Sequence, residues 1–155
     1  MTITVKDLLR NKGGGVAVVA PTDWVVDAAR VMRERRVGCL VVVDRGRVCG
    51  ILTERDLLTR VVAERRDAAD TAVGEVMSSE VYVCRPDTTI EACKQLVSSR
   101  RVRHLPVVDP GGRLVGVITS GDILAYELAG NCETLETLRE HVVAAMASPR
   151  DTKTN

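Results

Sequence analysis

Gly50-Ile51-Leu52-Thr53-Glu54-Arg55-Asp56 and Gly116-Val117-Ile118-Thr119-Ser120-Gly121-Asp122 are one phrase written twice: a glycine, two apolar residues, and a Thr-x-x-Asp that opens a helical run. Both follow a Val-rich strand. Upstream, Pro21, Val25, Ala28, Met32, Arg36, Val37, Leu40 and Val42 return as Pro86, Ile90, Cys93, Val97, Arg101, Val102, Leu105 and Val107, always at the spacing that separates Pro21 from Pro86. The frame slips where the turn Asp109-Pro110-Gly111-Gly112 replaces the shorter Asp44-Arg45-Gly46. Two copies of one small unit imply a pseudo-twofold pair, and the cleft between the copies is where function is expected to sit.

A copy of roughly sixty residues buries too little surface to be stable alone, so the two halves of this 155-residue chain should fold against each other. A hydrophobic fraction of 45%, with 28% charged residues and a net charge of +1, provides no electrostatic case for nucleic acid or a membrane surface. With 2% aromatics there is little for bases to stack on. The five cysteines, at positions 39, 49, 84, 93 and 132, form no C-x-x-C pair. They read as buried thiols in a reducing compartment, with neither a disulfide framework nor a metal site. Met1 to Asp7 lacks an apolar signal core and no stretch approaches the length of a membrane span, so the expected location is cytoplasmic. Two histidines, with no acid paired near a nucleophile, leave no catalytic constellation, and an enzyme is not expected.

Along the chain, residues 5 to 10 read as a helical turn and Gly13-Gly14-Gly15 as a break before a strand from Val16 to Val19. The glycines after Lys12 lack the spacing of a phosphate-binding loop and read as a flexible approach to that strand. Val25, Ala28, Ala29 and Met32 have the i, i+3, i+4, i+7 spacing of a helix face buried against a sheet. Cys39 to Val43 and Val48 to Leu52 predict two strands joined by a tight turn. Leu57, Leu58, Val61 and Val62 mark the next helix, Glu64 to Thr71 a linker, and Val73 to Met77 a short turn of helix before the unit repeats. Glu133 to Ala147 predicts a separate helix with Leu135, Leu138, Val142 and Met146 on one stripe, followed by a polar, frayed tail from Ser148 to Asn155. Arg33, Arg35 and Arg36 recur as Arg100, Arg101 and Arg103. Cations suit helix C-termini, and some of these could instead reach an anionic ligand.

Thr and Asp three residues apart across a helix start fit a capping box, with Thr53 and Thr119 as N-caps closed by Asp56 and Asp122. A capped helix start is also a place where phosphates bind, and an aspartate held there can accept both hydroxyls of a ribose. The two readings are compatible. A lone histidine at a strand start, such as His104, reads first as a partly buried hydrogen-bonding residue, with a ligand contact as the alternative, and Tyr82 and Trp24 read as packing residues.

The ordered recurrence of Pro, Val/Ile, Arg-Val-x-x-Leu-x-Val-Val-Asp and Gly-φ-φ-Thr-x-x-Asp, φ being apolar, closely resembles a tandem pair of CBS domains over about residues 5 to 128. The resemblance implies an α/β (α+β) fold of two pseudo-twofold-related βαββα modules plus a C-terminal helix. Module 1 would span 5–66 with the N-terminal helical turn, module 2 would span 67–130, and 131–155 would form the helix and tail. In such pairs each cleft binds an adenosine-containing ligand, taking Thr and Asp from one module and base-contacting residues from the other. One cleft would use Thr119, Asp122 and His104, with Ala17, Val37 and Gly38 facing the base. The other would use Thr53, Asp56 and Cys39, with Tyr82, Val102 and Arg103 opposite. Relatives often carry a basic side chain for phosphate where this chain has His104 and Cys39, so the second cleft departs from the pattern, with Arg55 as a substitute.

The resemblance thus implies a non-catalytic regulatory module that needs no cofactor. It would sense an adenine nucleotide of the AMP, ADP or ATP class and relay it to an unknown partner protein. S-adenosylmethionine or NAD(H) as ligand, or a constitutive interaction protein with empty clefts, are the alternatives. It also implies a homodimer held mainly by module helices, because a lone pair would leave Leu57, Val61, Ile123 and Leu124 partly uncovered, with residues 133 to 147 strengthening the dimer, docking a partner or docking on their own module.

Overall fold

The computed structural model describes residues 2–13 and 15–147; Met1, Gly14 and the tail 148–155 lie outside that range, as do the side chains of Cys132 and of residues 145–147. The first copy contributes α1 (Val5–Lys12), β1 (Val18–Val19), α2 (Val25–Arg35), β2 (Cys39–Asp44), β3 (Arg47–Thr53) and α3 (Glu54–Asp56), which runs on as a π-helical turn over Leu57–Val62. The second contributes α4 (Val73–Val76), α5 (Ile90–Arg100), β4 (His104–Val108), β5 (Leu114–Thr119) and α6 (Ser120–Ala147). β1 lies parallel to β2, β2 pairs antiparallel with β3, and β4 pairs antiparallel with β5.

The predicted strand, helix, strand, strand, helix order is complete in the first copy only. In the second, the leading strand is reduced to one parallel bridge between Cys84 and Val107. Backbone chemistry explains the loss. The Val41 amide donates to the Ala17 carbonyl at 3.2 Å, extending the first ladder upstream of β1. Its counterpart is Pro106, which has no N–H to give the Tyr82 carbonyl.

Each leading helix packs on the other copy. Val5 of α1 is fully buried in a core with Cys84, Ile90, Cys93, Leu105, Val107, Ile118 and Ile123, all from the second copy. Val73 and Val76 of α4 are buried with Val19, Val25, Ala28, Met32, Leu40, Val42, Leu52 and Val61, all from the first. Backbone bonds fasten both exchanges: the Val5 amide to the Thr88 carbonyl at 2.9 Å, and the Val73 amide to the Asp23 carbonyl at 2.8 Å. The two cores are thus offset from the covalent repeat by one helix.

The exchange accounts for the glycine that opens each repeated phrase. A Cβ on Gly116 would meet the Leu9 methyls of α1 at 2.8 and 2.9 Å. One on Gly50 would meet the Met77 sulfur, just past α4, at 2.5 Å and the Ser78 carbonyl oxygen at 3.1 Å. A side chain at Gly116 would force the Leu9 methyls to move, and one at Gly50 would press on the Ser78 backbone as well as on Met77.

Two sequence expectations are corrected at the C-terminal end. No separate helix begins at Glu133: α6 is one continuous helix of 28 residues, and Gly130 lies inside it. A lone interior glycine costs only about 1 kcal/mol against alanine and does not break a helix by itself. Nor are all four module-helix residues uncovered. Val61 and Ile123 are buried and Leu57 packs on the first core, whereas Leu124 is 55% exposed, joined by Leu58, Val62 and Leu128. Among the described residues no helix is long and apolar enough to cross a membrane.

The helix-terminal arginines have a definite local role. Arg36 and Arg101 are the C-caps of α2 and α5, at φ of 55° and 53°, a left-handed conformation that favours glycine. Arg36→Gly is expected to raise stability by about 0.5–1 kcal/mol, since the relieved backbone cost exceeds the added unfolded-state entropy. Thermal unfolding checks this, and a lower Tm would mean that the arginine side chain contributes more than its backbone costs.

Candidate functional site

The β-strand pairings build the site from matching pieces. His104 stands opposite Thr119 in the β4–β5 register, as Cys39 stands opposite Thr53 in β2–β3. In β2 and β4 alternate residues fill the cores, Leu40 and Val42 in one and Leu105 and Val107 in the other. Cys39 and His104 are therefore turned away from their own cores, toward the region between the copies.

A cleft of ≈ 340 Å³ lies there, within the range of small-molecule sites. Its wall takes Ala17, Val37 and Gly38 from the first copy and His104 and Thr119 from the second, five of the six residues expected to act together. The wall is completed by residues from α1 and the following loop, among them Leu9, Lys12, Gly13 and Gly15. The loop after Lys12 is thus more than an approach to a strand.

The sixth residue, Asp122, is held beside this cleft by contacts that sequence reasoning missed in part. Its Oδ2 accepts the Thr119 amide at 2.8 Å, and its own amide donates to Thr119 Oγ1 at 3.1 Å, which closes the expected capping box. The same Oδ2 accepts Lys12 Nζ at 2.7 Å, and Lys12 also donates to the Val117 carbonyl at 3.0 Å. Burial pushes the Asp122 carboxyl up, but Lys12 and the Thr119 amide outweigh it and hold the group below the usual carboxylate value. Lys12 belongs to α1, and only the exchange of leading helices brings it over the second copy's Thr-x-x-Asp. Nothing local in the sequence signals that contact.

His104 is half-buried in this wall. Burial is the main cause that lowers its pKa below the ordinary value, followed by the positive charges of Lys12 and Arg103, against weaker pulls from Asp122 and Glu54. The ring is therefore neutral near pH 7, with cationic groups around it.

The other constellation is assembled differently. Asp56 is 7% exposed, and its Oδ2 accepts from the Thr53 amide at 2.9 Å and Thr53 Oγ1 at 3.1 Å. Its Oδ1 faces Ser78 Oγ at 3.4 Å and Arg60 Nη1 at 3.6 Å. The carboxylate is engaged on both oxygens by residues of the protein. Arg60 reaches it from the π-helical turn and also donates to the Val76 and Met77 carbonyls at 2.9 and 3.0 Å.

Of the remaining expected residues, Arg55 is exposed at the first turn of α3. Val102 packs on the second core, and the Arg103 carbonyl accepts the Ser120 amide at 2.9 Å. Tyr82, the counterpart of Ala17, packs on the second core, donates to Glu80 at 2.8 Å and lies under Arg100 at 5.2 Å. Cys39 lines the same cleft as His104, with its thiol pushed up to about 12 by burial and by Asp56. It stays neutral there and offers only a weak donor. A second hollow, between Arg33, Arg36, Glu54 and Leu57, involves none of the expected Thr and Asp residues.

Comparison with known proteins agrees with this architecture. The family model described as the CBS domain matches residues 5–63 and again 73–129. The CBS domain-containing protein YhcV of Bacillus subtilis is 36% identical over 126 residues, covering 81% of this chain and 86% of that protein. Among solved structures, the CBS domain protein NE2398 superposes with a TM-score of 0.77 at 35% identity, covering 83% of this chain and 99% of the other. CBSX2, solved in complex with AMP, superposes with a TM-score of 0.68 at 28% identity, covering 83% and 98%. With two matched copies, exchanged leading helices and an intermodule cleft, this chain belongs to the CBS-domain family and carries the domain as a tandem pair.

Proposed function

We propose that this CBS pair is a regulatory ligand-binding module that takes an adenine nucleotide in the cleft between its two copies. The observation that carries the reading is the joining of Ala17, Val37 and Gly38 to His104 and Thr119 around one cleft, with Asp122 beside it. The apolar residues suit a base, the carboxylate suits the two ribose hydroxyls, and Lys12 with His104 suits phosphate. AMP in the related CBSX2 supports the ligand class. The Asp56 side is assigned a structural role, because its carboxylate already has partners on both oxygens. A partner protein reads the occupied state, and two copies of the chain are the expected assembly.

A thermal-shift series with AMP, ADP, ATP, NAD and S-adenosylmethionine tests the reading. A ligand at 100 times its Kd stabilises the fold by about 2.7 kcal/mol, a shift of several degrees. If none of the five moves the Tm, the capped helix starts are structural in both copies and the protein is a constitutive interaction module.

His104 makes the binding pH-dependent. A phosphate raises the pKa of a ring whose free-state value is depressed. The added affinity is therefore full below the free-state pKa and is lost as pH rises through the value in the complex. AMP affinity is expected to increase severalfold from about pH 8 to about pH 6, with adenosine nearly unchanged. In calorimetry, His104→Gln should remove the difference in pH dependence between the two ligands, while Lys12 keeps part of the preference for AMP.

A further inference from the structure

From Leu128 to Ala144 every described side chain of α6 is exposed, so the second half of this helix stands clear of the module that starts it. At 28 residues α6 is about 42 Å long. A helix segment in water, carrying Gly130, Asn131, Thr134 and Thr137, is marginal on propensity alone and needs a covered face.

The apolar face of α6 has a specific form. Leu124, Leu128, Asn131, Leu135, Leu138 and Val142 are spaced four, three, four, three and four residues apart, the alternation of d and a positions in a heptad repeat. All six are exposed, Leu135 by 65% and Leu138 and Val142 by 56%. Strict a/d spacing makes a narrow seam suited to one other helix, whereas a helix laid on a sheet or globular core carries a wider stripe. The continuity of α6 through Gly130 is what extends the seam: the residues after 132 supply only half of it.

Asn131 selects the occupant. In a parallel, in-register pair with a second α6, Asn131 faces its own copy and the two amides satisfy each other. In an antiparallel pair Asn131 faces Leu135, leaving an amide unpaired against leucine. We infer that α6 forms a parallel two-stranded coiled coil with a second copy of this chain along Leu124, Leu128, Asn131, Leu135, Leu138 and Val142. The pairing sets the two CBS pairs side by side at the N-terminal end of the coil. It deepens the expectation of a dimer and is independent of whether the cleft takes a nucleotide.

The test uses the full chain. Leu135→Glu with Leu138→Glu places charges on two exposed seam positions outside both cores. Sedimentation equilibrium is expected to give at least a tenfold loss of dimer affinity, with the circular dichroism of the modules retained. Val142→Cys in a Cys132→Ser background, treated with a short bis-maleimide, is expected to give a covalent dimer above the level of the Cys132→Ser parent. A monomeric parent, or a dimer unaffected by the two glutamates, overturns the seam. Cross-linking that appears only in a mixture of Leu124→Cys and Val142→Cys chains overturns the parallel arrangement. Loss of the dimer in Leu58→Glu with Val62→Glu alone assigns the assembly to the module helices instead.

Discussion

Asp122→Ala is expected to weaken AMP binding by about two orders of magnitude, while Asp56→Ala leaves it within about threefold. Two hydrogen bonds from ribose hydroxyls to a carboxylate are worth about 1.5–3 kcal/mol each in isolation. The ligand must first displace Lys12 from Asp122, but that ion pair is partly exposed and is worth no more than about 1 kcal/mol. The net loss is therefore about 2–5 kcal/mol, and about 2.7 kcal/mol within that range is two orders of magnitude. Asp122→Ala also strips a cap from the Thr119 amide, so binding must be read by calorimetry on folded protein rather than from Tm alone. Lys12→Met provides the complementary arm: adenosine binds somewhat more tightly, because the competitor is gone, while the advantage of AMP over adenosine shrinks. An Asp122→Ala protein with wild-type AMP affinity would falsify the site. In Asp56→Ala the effect falls on stability, about 2–3 kcal/mol, because the Thr53 amide and the half-buried Ser78 lose their partner.

Val5→Asp should destabilise the chain by about 4 kcal/mol or more, and the damage should appear in the other half of the sequence. Val5 has no exposed surface and touches a core made otherwise of second-copy residues, so a carboxylate there is buried without a partner. Hydrogen exchange is expected to lose protection first in β4 and β5, with β2 and β3 retaining it. Val73→Asp reverses the pattern, exposing the first copy's strands. Loss confined to residues near the mutated helix in both variants would mean that the leading helices are not integral to the cores they enter.

The duplication, the strands β2 to β5 and the helix opened by each Thr-x-x-Asp were legible because each rests on local chemistry: apolar runs, turn residues and a side chain that caps its own backbone. The carboxylate that closes the expected capping box also faces outward, since the Asp122 oxygen that serves the Thr119 amide accepts Lys12 as well. The lost first strand of the second copy was also readable in principle, from Pro106 standing where Val41 donates an amide. That signal lies in a comparison between copies, so a scan for apolar runs passes over it.

Inequality between the two clefts was expected from His104 against Cys39, but the larger difference lies elsewhere. Asp56 is surrounded by Arg60 and Ser78, while Asp122 holds one partly exposed lysine. Arg60 reaches Asp56 from a π-helical turn whose sequence reads as ordinary helix, and Ser78 arrives on the segment that follows α4. Neither contact has a spacing that announces it.

By itself the sequence determined that there are two copies, which faces of their helices and strands are apolar, and where the helices opened by Thr53 and Thr119 start. These follow from backbone geometry and side-chain transfer energies that act over a few residues. Only the tertiary structure decided which copy each leading helix serves. α1 and α4 are short amphipathic segments that would fit either core, and the choice depends on the path of the linkers and on Gly50 and Gly116 leaving room for Met77 and Leu9. That choice carries Lys12 to Asp122 and completes the cleft, because a contact between residues 110 positions apart is set by packing and not by any preference of the residues between them.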